Sequence, residues 1–580
     1  MPEDLNIQNQ QQPESSQQEQ PSAIPQEQKL QQPAAPQPEQ PHHKYFKELI
    51  RNPYFGIVII IILSLFLSFN MLERCARRRA ISSEYAIGGH KWDKLLLVLD
   101  QIEQNYVDTL SYNNMVEKSI PLILQSLDPH SVYLPPQDLA EAEESLEGNF
   151  SGIGIEFNVP NDTAVVINVI PGGPSSKVGL LSGDRIIKVD GKNVAGVKFN
   201  QDSLIKLLKG PQSTKVKVDI KRGSVAGLIP FTITRGIIPL KSLDASMMLN
   251  KHLGYIKLSK FSKTTYEEFM KAVASLKKTG MTSLLLDLRD NPGGYFDQAL
   301  LMTNEFLKRG EKIVYLQGRM RKRQDFYADG RGTCQDIKLY VAINENSASS
   351  SEIVSGAIQD NDRGTIIGRR SFGKGLVQEP INFSDNSGIR LTVARYYTPT
   401  GRCIQKPYSA DYMYDILERY QHGEMQNVDS IKKDKKLKFK TPKGRVVYGG
   451  GGIIPDVFVP LDTQGVSDFL VKVNDKSLQM QYSALLADKY GTQLRAIKTL
   501  PQLEALLSKM DFDGGFLNFA KKSGVVPKPG EWSKSRGILK TQMKGLVGRY
   551  SSMENDAFYP FIISIDNVVA KVKSLDAAGK

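Results

Sequence analysis

A chain of 580 residues is too long for one domain and is expected to hold about three to five units at ~100–200 residues each. With 40% hydrophobic and 24% charged residues, most of it has a globular composition. The three cysteines, Cys75, Cys334 and Cys403, exclude a disulfide-built scaffold and a four-cysteine zinc site. The net charge of +13 is spread too widely to make a nucleic-acid surface of the folded domains.

Residues 1–43 carry 13 Gln and 8 Pro with no apolar periodicity, so this tail is expected to be disordered. Tyr54 to Leu72 follows without a charge. At 1.5 Å per residue, a helix of that length spans a ~30 Å hydrocarbon core, and 54–72 reads as one transmembrane helix. A cleaved signal peptide fits less well, because the run is long, lies far from the N-terminus and lacks a small-x-small cleavage site. Lys44, Lys47 and Arg51 precede the span, and Arg74, Arg77, Arg78 and Arg79 follow it. By a narrow margin that balance would leave the bulk of the chain in the cytoplasm.

Residues 88–144 form a helical region, with apolar residues at helical spacing over 91–127. Over 145–236 the pattern changes to short strands such as GNFSGIGIEF, TAVVINVI and KVKVDI, with short helices near Ser175–Val178 and Gln201–Leu208. From Gly254 strands and helices alternate: GYIKLSKF, helix Thr265–Lys278, strand Ser283–Leu288, helix Gln298–Lys308, strand Leu339–Ile343, helix Ser350–Gln359 and strand Thr365–Ile367. That alternation argues an α/β core over 237–462. A basic insertion near 425–446 reads as a solvated loop, and 463–580 as a helical extension without motifs.

Several chemistries are excluded. There is no H-E-x-x-H or G-x-S-x-G, and none of the six His stands near a promising Ser or Cys nucleophile in the sequence. Gly368 to Lys374 fits the first seven positions of a P-loop, but Gly375 replaces the magnesium-binding hydroxyl, and Glu379-Pro380 opposes the helix that phosphate needs.

Ser349 stands where the apolar strand LYVAI gives way to the helix EIVSGAIQD. A nucleophile there is exposed at the carboxyl edge of a sheet, beside helix N–H groups that stabilise an oxyanion. Ser349 and Glu352 also make an ordinary capping box, and spacing alone favours that reading. A second turn, Asp287 to Gly294, follows SLLLDL; its adjacent glycines would let backbone N–H groups approach a substrate, although Asn-Pro-Gly-Gly makes a turn in any case.

GYIKLSKF, LLLDLRDNPGG, NSASSSEIVSGAIQD, RRSFGKGLVQ, RYYTPTGRCIQ and GGGGIIPDV, in this order, resemble the carboxyl-terminal processing peptidases, tail-specific serine proteases with a Ser/Lys dyad. LDPHSVYL and the strand module fit the same order, so the resemblance covers about 95–460. It implies Ser349 as nucleophile, Lys374 as base and Gln378 as the third active-site member. Ser350 stands where Ala is usual. The backbone N–H groups of Ser350 and of Gly293 or Gly294 are expected to hold the oxyanion, and Asp360 to play a supporting, architectural role.

The resemblance implies a multidomain α+β chain. A transmembrane helix and helical region lead to a PDZ-like β-rich domain inserted before an α/β, crotonase-like serine peptidase core, and a helical C-terminal extension follows. A lysine near its ordinary pKa of ~10.4 is no base at pH 7. Lys374 must therefore be desolvated, with Phe372 and Leu376 expected to flank it. No metal or cofactor is needed.

The strand module resembles a PDZ domain whose Ser151, Gly152, Ile153 and Gly154 form the carboxylate-binding loop, so proteins or peptides with free C-termini are the expected partners. The contrasting function is a PDZ scaffold with an inactive peptidase domain. The family works mostly outside the bacterial cytoplasmic membrane, which outweighs the narrow charge margin: the expectation is a single-pass inner-membrane protein with a periplasmic catalytic part. There Cys334 and Cys403 are candidates to pair. A homo-oligomer is expected through 91–127 or the segment after Val459.

Overall fold

The computed structural model describes residues 57, 60, 61, 63–73, 93–159, 162–223, 225–408 and 412–579. The chain forms two compact units, Met1–Tyr112 and Asn113–Lys580. In the first, the described residues from 57 to 73 are helical, and Asp93–Asn105 is an amphipathic helix. Among the described residues no helix is long and apolar enough to cross a membrane. The tail 1–43 and the rest of the 54–72 run lie outside the described residues.

The second unit is built around a six-stranded sheet in the order Leu243–Met248, Leu253–Leu258, Ser283–Asp287, Lys338–Ile343, Thr365–Gly368 and Val457–Phe458. Its first pair is antiparallel and the others are parallel. Parallel strands covered on both faces read as continuous apolar runs, and all five residues of Ser283–Asp287 are buried. Leu284 and Leu286 face a core made with Phe269, Met302, Ile353 and Val354 of three helices, Thr265–Lys278, Phe296–Asn304 and Ser350–Asp360. Leu285 faces the other way, onto Tyr255, Tyr340, Ile563, Val568 and Val572. That second face is covered by the last two helices of the chain, Asn555–Ser564 and Asn567–Ala577. The end of the extension is thus part of the core of the 237–462 region. The helices between Asp468 and Gly548 have a separate core around Phe469, Phe516, Leu539 and Met543.

A five-stranded antiparallel sheet carries the long strand Gly388–Tyr397, paired with Leu376–Asn382, Val132–Leu134 and Lys312–Gln317. The 145–236 module is a third sheet. Its edge strand is Ile155–Asn158, followed by Ala164–Val169, Arg185–Val189, Lys215–Lys221 and Ile229–Thr234. Asn149–Gly152 pairs with Gly236–Pro239 where the chain enters and leaves the module, which makes it an insertion. The extension touches this module through Arg185–Asp488 at 2.5 Å and Arg549–Glu156 at 3.9 Å.

Two expectations change. Cys334 and Cys403 are free thiols, Cys334 buried in the main core. The basic insertion keeps its lysines exposed but is not all loop: Lys438–Lys440 pairs with Val446–Tyr448, and a helix, Asp415–Gln421, precedes it.

Candidate active site

Ser349 is the residue before the helix Ser350–Asp360 and has φ +53°. A positive φ at a non-glycine residue costs about 1–3 kcal/mol and persists only where its surroundings enforce it. Here they do. Ser349 N–H donates to Glu352 Oε2 at 2.9 Å, and Ala348 N–H donates to Asn291 O at 3.0 Å. Three consecutive serines are told apart by their hydroxyls. Ser350 Oγ donates to Gly294 O at 3.0 Å and Ser351 Oγ to Asn291 O at 2.9 Å, and both residues are buried. Ser349 is only half-buried, at the mouth of the elbow.

The turn after Ser283–Asp287 lies directly against this elbow. A Cβ on Gly293 would come within 2.8 Å of Ser349 Cβ and 2.9 Å of Ser350 N, and one on Gly294 within 2.1 Å of Phe261 O. Only glycine fits at either position, at φ +99° and +146°. The two differ as donors. Gly293 N–H is given to Asn291 Oδ1 at 2.9 Å, whereas among the described residues no acceptor takes Gly294 N–H or Ser350 N–H.

Lys374 follows the glycine turn Ser371–Gly373. Its amine donates to Gln378 Oε1 at 2.8 Å, and the Gln378 amide donates to His130 O. Burial, and then the nearby Arg390 charge, hold the Lys374 amine below its usual range. Glu352 and Asp128 act in the opposite sense. The flanking partner is thus polar: Gln378 holds the amine, while Phe372 packs edge-on to His130 and Tyr412.

Glu352 joins the two halves of the site. It is fully buried, and its four acceptor bonds run to Ser371 Oγ at 2.5 Å, Gly373 N–H at 2.7 Å, and Ser349 N–H and Lys374 N–H at 2.9 Å. Burial nonetheless pushes its carboxyl upward. The Tyr396 hydroxyl lies against the carbonyls of both Ser349 and Lys374.

The capping-box spacing pointed to Glu352, but only for the helix end. His130 was missed altogether, since it lies 248 residues from Gln378 in sequence. The fold brings it to the Lys374 side of the site, where its Nε2 meets Tyr412 OH at 2.6 Å. Burial and then the Lys374 charge lower its pKa to about 4, so its ring is neutral at pH 7. Asp360 is away from this cluster. It forms a fully buried pair with Arg402 at 2.6 Å and accepts from Thr400 Oγ1 at 2.6 Å, a structural role.

In the strand module, Gly152, Ile153 and Gly154 are buried between two strands, with Gly154 at φ +74°. Among the described residues no acceptor takes the N–H of Ile153 or Gly154, and the Ser151 hydroxyl is buried without a partner. The loop opens onto Ile155–Asn158, the edge strand of its sheet. Unsatisfied N–H groups beside an open edge can take a terminal carboxylate and an added strand.

Residues 252–413 match the model of peptidase family S41, and 151–227 match the PDZ domain model. Ser349, Lys374, Gln378 and the Gly293-Gly294 turn lie in the first span, and Ser151 to Gly154 in the second. The chain is 37% identical over 313 residues to the carboxy-terminal-processing protease of Bartonella bacilliformis, covering 53% of this chain and 71% of that protein. It is 33% identical over 320 residues to the carboxy-terminal processing protease CtpA of Bacillus subtilis, covering 55% and 68%. Among solved structures, the photosystem II D1 C-terminal processing protease matches 64% of this chain and 87% of its own at 27% identity, with a TM-score of 0.33.

Proposed function

This chain belongs to peptidase family S41, the carboxy-terminal processing serine proteases, and carries a PDZ domain, and we propose that it cleaves proteins captured by their free C-termini through a Ser349/Lys374 dyad. The elbow carries this reading: Ser349 is strained and half-open, its two neighbours have spent their hydroxyls on carbonyls, and the Lys374 turn hangs from the same carboxylate.

Neutral Lys374 Nζ takes the proton of Ser349 Oγ as that oxygen bonds to the substrate carbonyl carbon. The carbonyl oxygen becomes an oxyanion held by Gly294 N–H and Ser350 N–H. The C–N bond then breaks, the Lys374 ammonium returns its proton to the leaving amine, and an ester on Ser349 remains. Water, deprotonated by the same amine, hydrolyses that ester. Gln378 Oε1 keeps the amine aimed throughout, and no step needs a metal or cofactor.

The test is covalent labelling by a serine-directed electrophile, run beside peptide cleavage. The wild-type chain should label at Ser349, and Ser349→Ala and Lys374→Ala should each lower kcat about 10⁴-fold or more. Cleavage retained in either variant overturns the dyad. A wild-type chain that neither labels at Ser349 nor cleaves would instead favour a PDZ scaffold with an inactive peptidase.

The uncharged 54–72 run supports a single membrane-spanning helix, and the family resemblance, against the narrow charge margin, supports a periplasmic peptidase; reporter fusions at each end check both. Self-association through 91–127 or the region after Val459 is checked by sedimentation of the detergent-solubilised chain.

A further inference from the structure

Behind the Lys374 turn lies a buried charge cluster that the mechanism does not use. The short helix Asp415–Gln421 carries Arg419, which is 5% exposed. Its guanidinium donates to Ser371 O at 3.1 Å, to Arg370 O at 2.7 Å and to Glu424 Oε1 at 2.9 Å. Arg370 grips the same carboxylate at 2.7 and 2.6 Å. Asp415 lies 3.8 Å from Arg419 and 3.1 Å from Lys406. These groups line a cavity of about 600 Å³.

The backbone that Arg419 holds is the backbone that places the base. Ser371, whose carbonyl it takes, gives its hydroxyl to Glu352 and accepts Ile453 N–H at 2.6 Å. Glu352 in turn holds Gly373 N–H, Lys374 N–H and Ser349 N–H. A planar guanidinium can span two successive carbonyls and a carboxylate at once; a lysine amine cannot. Arg419 lies beyond residue 413, where the family match ends.

We propose that Arg419 is a positioning residue for the base: it presses the 370–374 turn onto Glu352 and so keeps the Lys374 amine in its dry site against Gln378. The proposal rests on Lys374 being the base. The groups that face that amine are Glu352 from the helix Ser350–Asp360, Arg390 from the strand Gly388–Tyr397, and Asp128 and His130 from the loop before Val132–Leu134. None is altered by a change at Arg419. Loosening the turn would therefore act on Lys374 chiefly through hydration, the largest influence on its amine, which raises its pKa.

The experiment compares wild-type, Arg419→Lys and Arg419→Gln full-length chains by kcat, KM and the pH profile of kcat. Rates are normalised to the fraction of Ser349 that labels covalently. The expected result is a fall in kcat of about 10-fold or more with KM within about twofold. The midpoint of the rising limb should move upward by about half a unit. Unchanged normalised kcat, or a loss with the midpoint unmoved, overturns the proposal and leaves Arg419 a purely structural residue. If both variants fail to fold, Glu424→Gln removes the charge that anchors Arg419 and should shift the midpoint the same way; an unmoved midpoint there overturns the proposal as well. Failure of the base assignment is separate, since it would appear as activity retained in Lys374→Ala.

Discussion

The backbone N–H of Ser349 and that of Lys374 are held by one oxygen, Oε2 of Glu352, at 2.9 Å each. The nucleophile's elbow and the base's turn come from separate stretches of chain, and this carboxylate fixes their separation. Glu352→Gln tests the link. An amide offers one acceptor oxygen and one donor group, so in either orientation an N–H faces a backbone N–H, and burial leaves no water to relieve the clash. The expected cost is about 1–3 kcal/mol, read as a lower Tm and a kcat reduced about 10- to 100-fold. A Gln variant with wild-type kcat would remove Glu352 from the positioning role.

Lys374 gives activity and stability a pH dependence of the same sign. Its folded pKa lies below the ordinary 10.5, chiefly through burial. Between the lowered value and 10.5 the unfolded chain binds a proton that the folded chain does not, so this residue makes stability rise with pH across that window. Below the window the folded state carries the whole cost of a buried ammonium. Catalytic rate should rise as pH passes the lowered folded value, at the foot of that window, because only the neutral amine accepts a proton. Lys374→Met is therefore expected to be inactive yet to melt higher than wild type at neutral pH, with a shallower increase in Tm as pH approaches 10.5. Melting curves at a series of pH values check this, and an unchanged slope would argue against a desolvated amine.

His130 sets a limit on the acid side. Its folded pKa of about 4 lies below the ordinary 6.5, for burial first and the Lys374 charge second. As pH falls from 6.5 toward 4 the unfolded chain gains a proton that the folded chain refuses, and stability is lost, by on the order of 3 kcal/mol at most. His130→Asn should flatten the Tm profile in that interval. The variant's own stability at pH 7 is expected to fall as well, since the ring's bond to Tyr412 is removed. An acid limb as steep as wild type would assign the acid sensitivity elsewhere.

The parts of this molecule that were legible in the sequence are those whose causes are local. Helices Thr265–Lys278 and Gln201–Leu208 fall on the expected residues because each has its own amphipathic stripe, and Asn200 caps the second with its side chain. The Gly293-Gly294 turn was legible because its glycine spacing is itself the cause. Distinguishing Ser349 from Ser350 and Ser351 required partners on another turn, Gly294 O and Asn291 O. The helix around Arg419 was hidden for a different reason. It is a seven-residue helix whose Leu417 and Tyr420 point to solvent, so its apolar periodicity carries no sign of a buried face. The last two helices read as an appendage because the surface they cover belongs to strands about one hundred to three hundred residues earlier, a pairing that local periodicity cannot encode.

The tail-binding loop makes a prediction that is independent of the dyad. Ile153 N–H and Gly154 N–H are available beside the open edge strand Ile155–Asn158, and a carboxylate would satisfy both with charge-assisted bonds. An amide at the same place has one acceptor oxygen and brings an N–H toward the loop. A peptide ending in a free carboxylate should therefore be processed with a KM about 10-fold or more below that of its C-terminally amidated twin, with kcat changed less, because the loop holds the peptide's end and not its reacting carbonyl. Gly154→Ala should erase the difference from the protein side. Its backbone sits at φ +74°, where a side chain is strained, and a Cβ there would lie 2.9 Å from Ile238 Cδ1, so the loop or that side chain must shift to accommodate it. Equal KM for the two peptides on the wild-type chain would mean that the module reads something other than the terminal carboxylate.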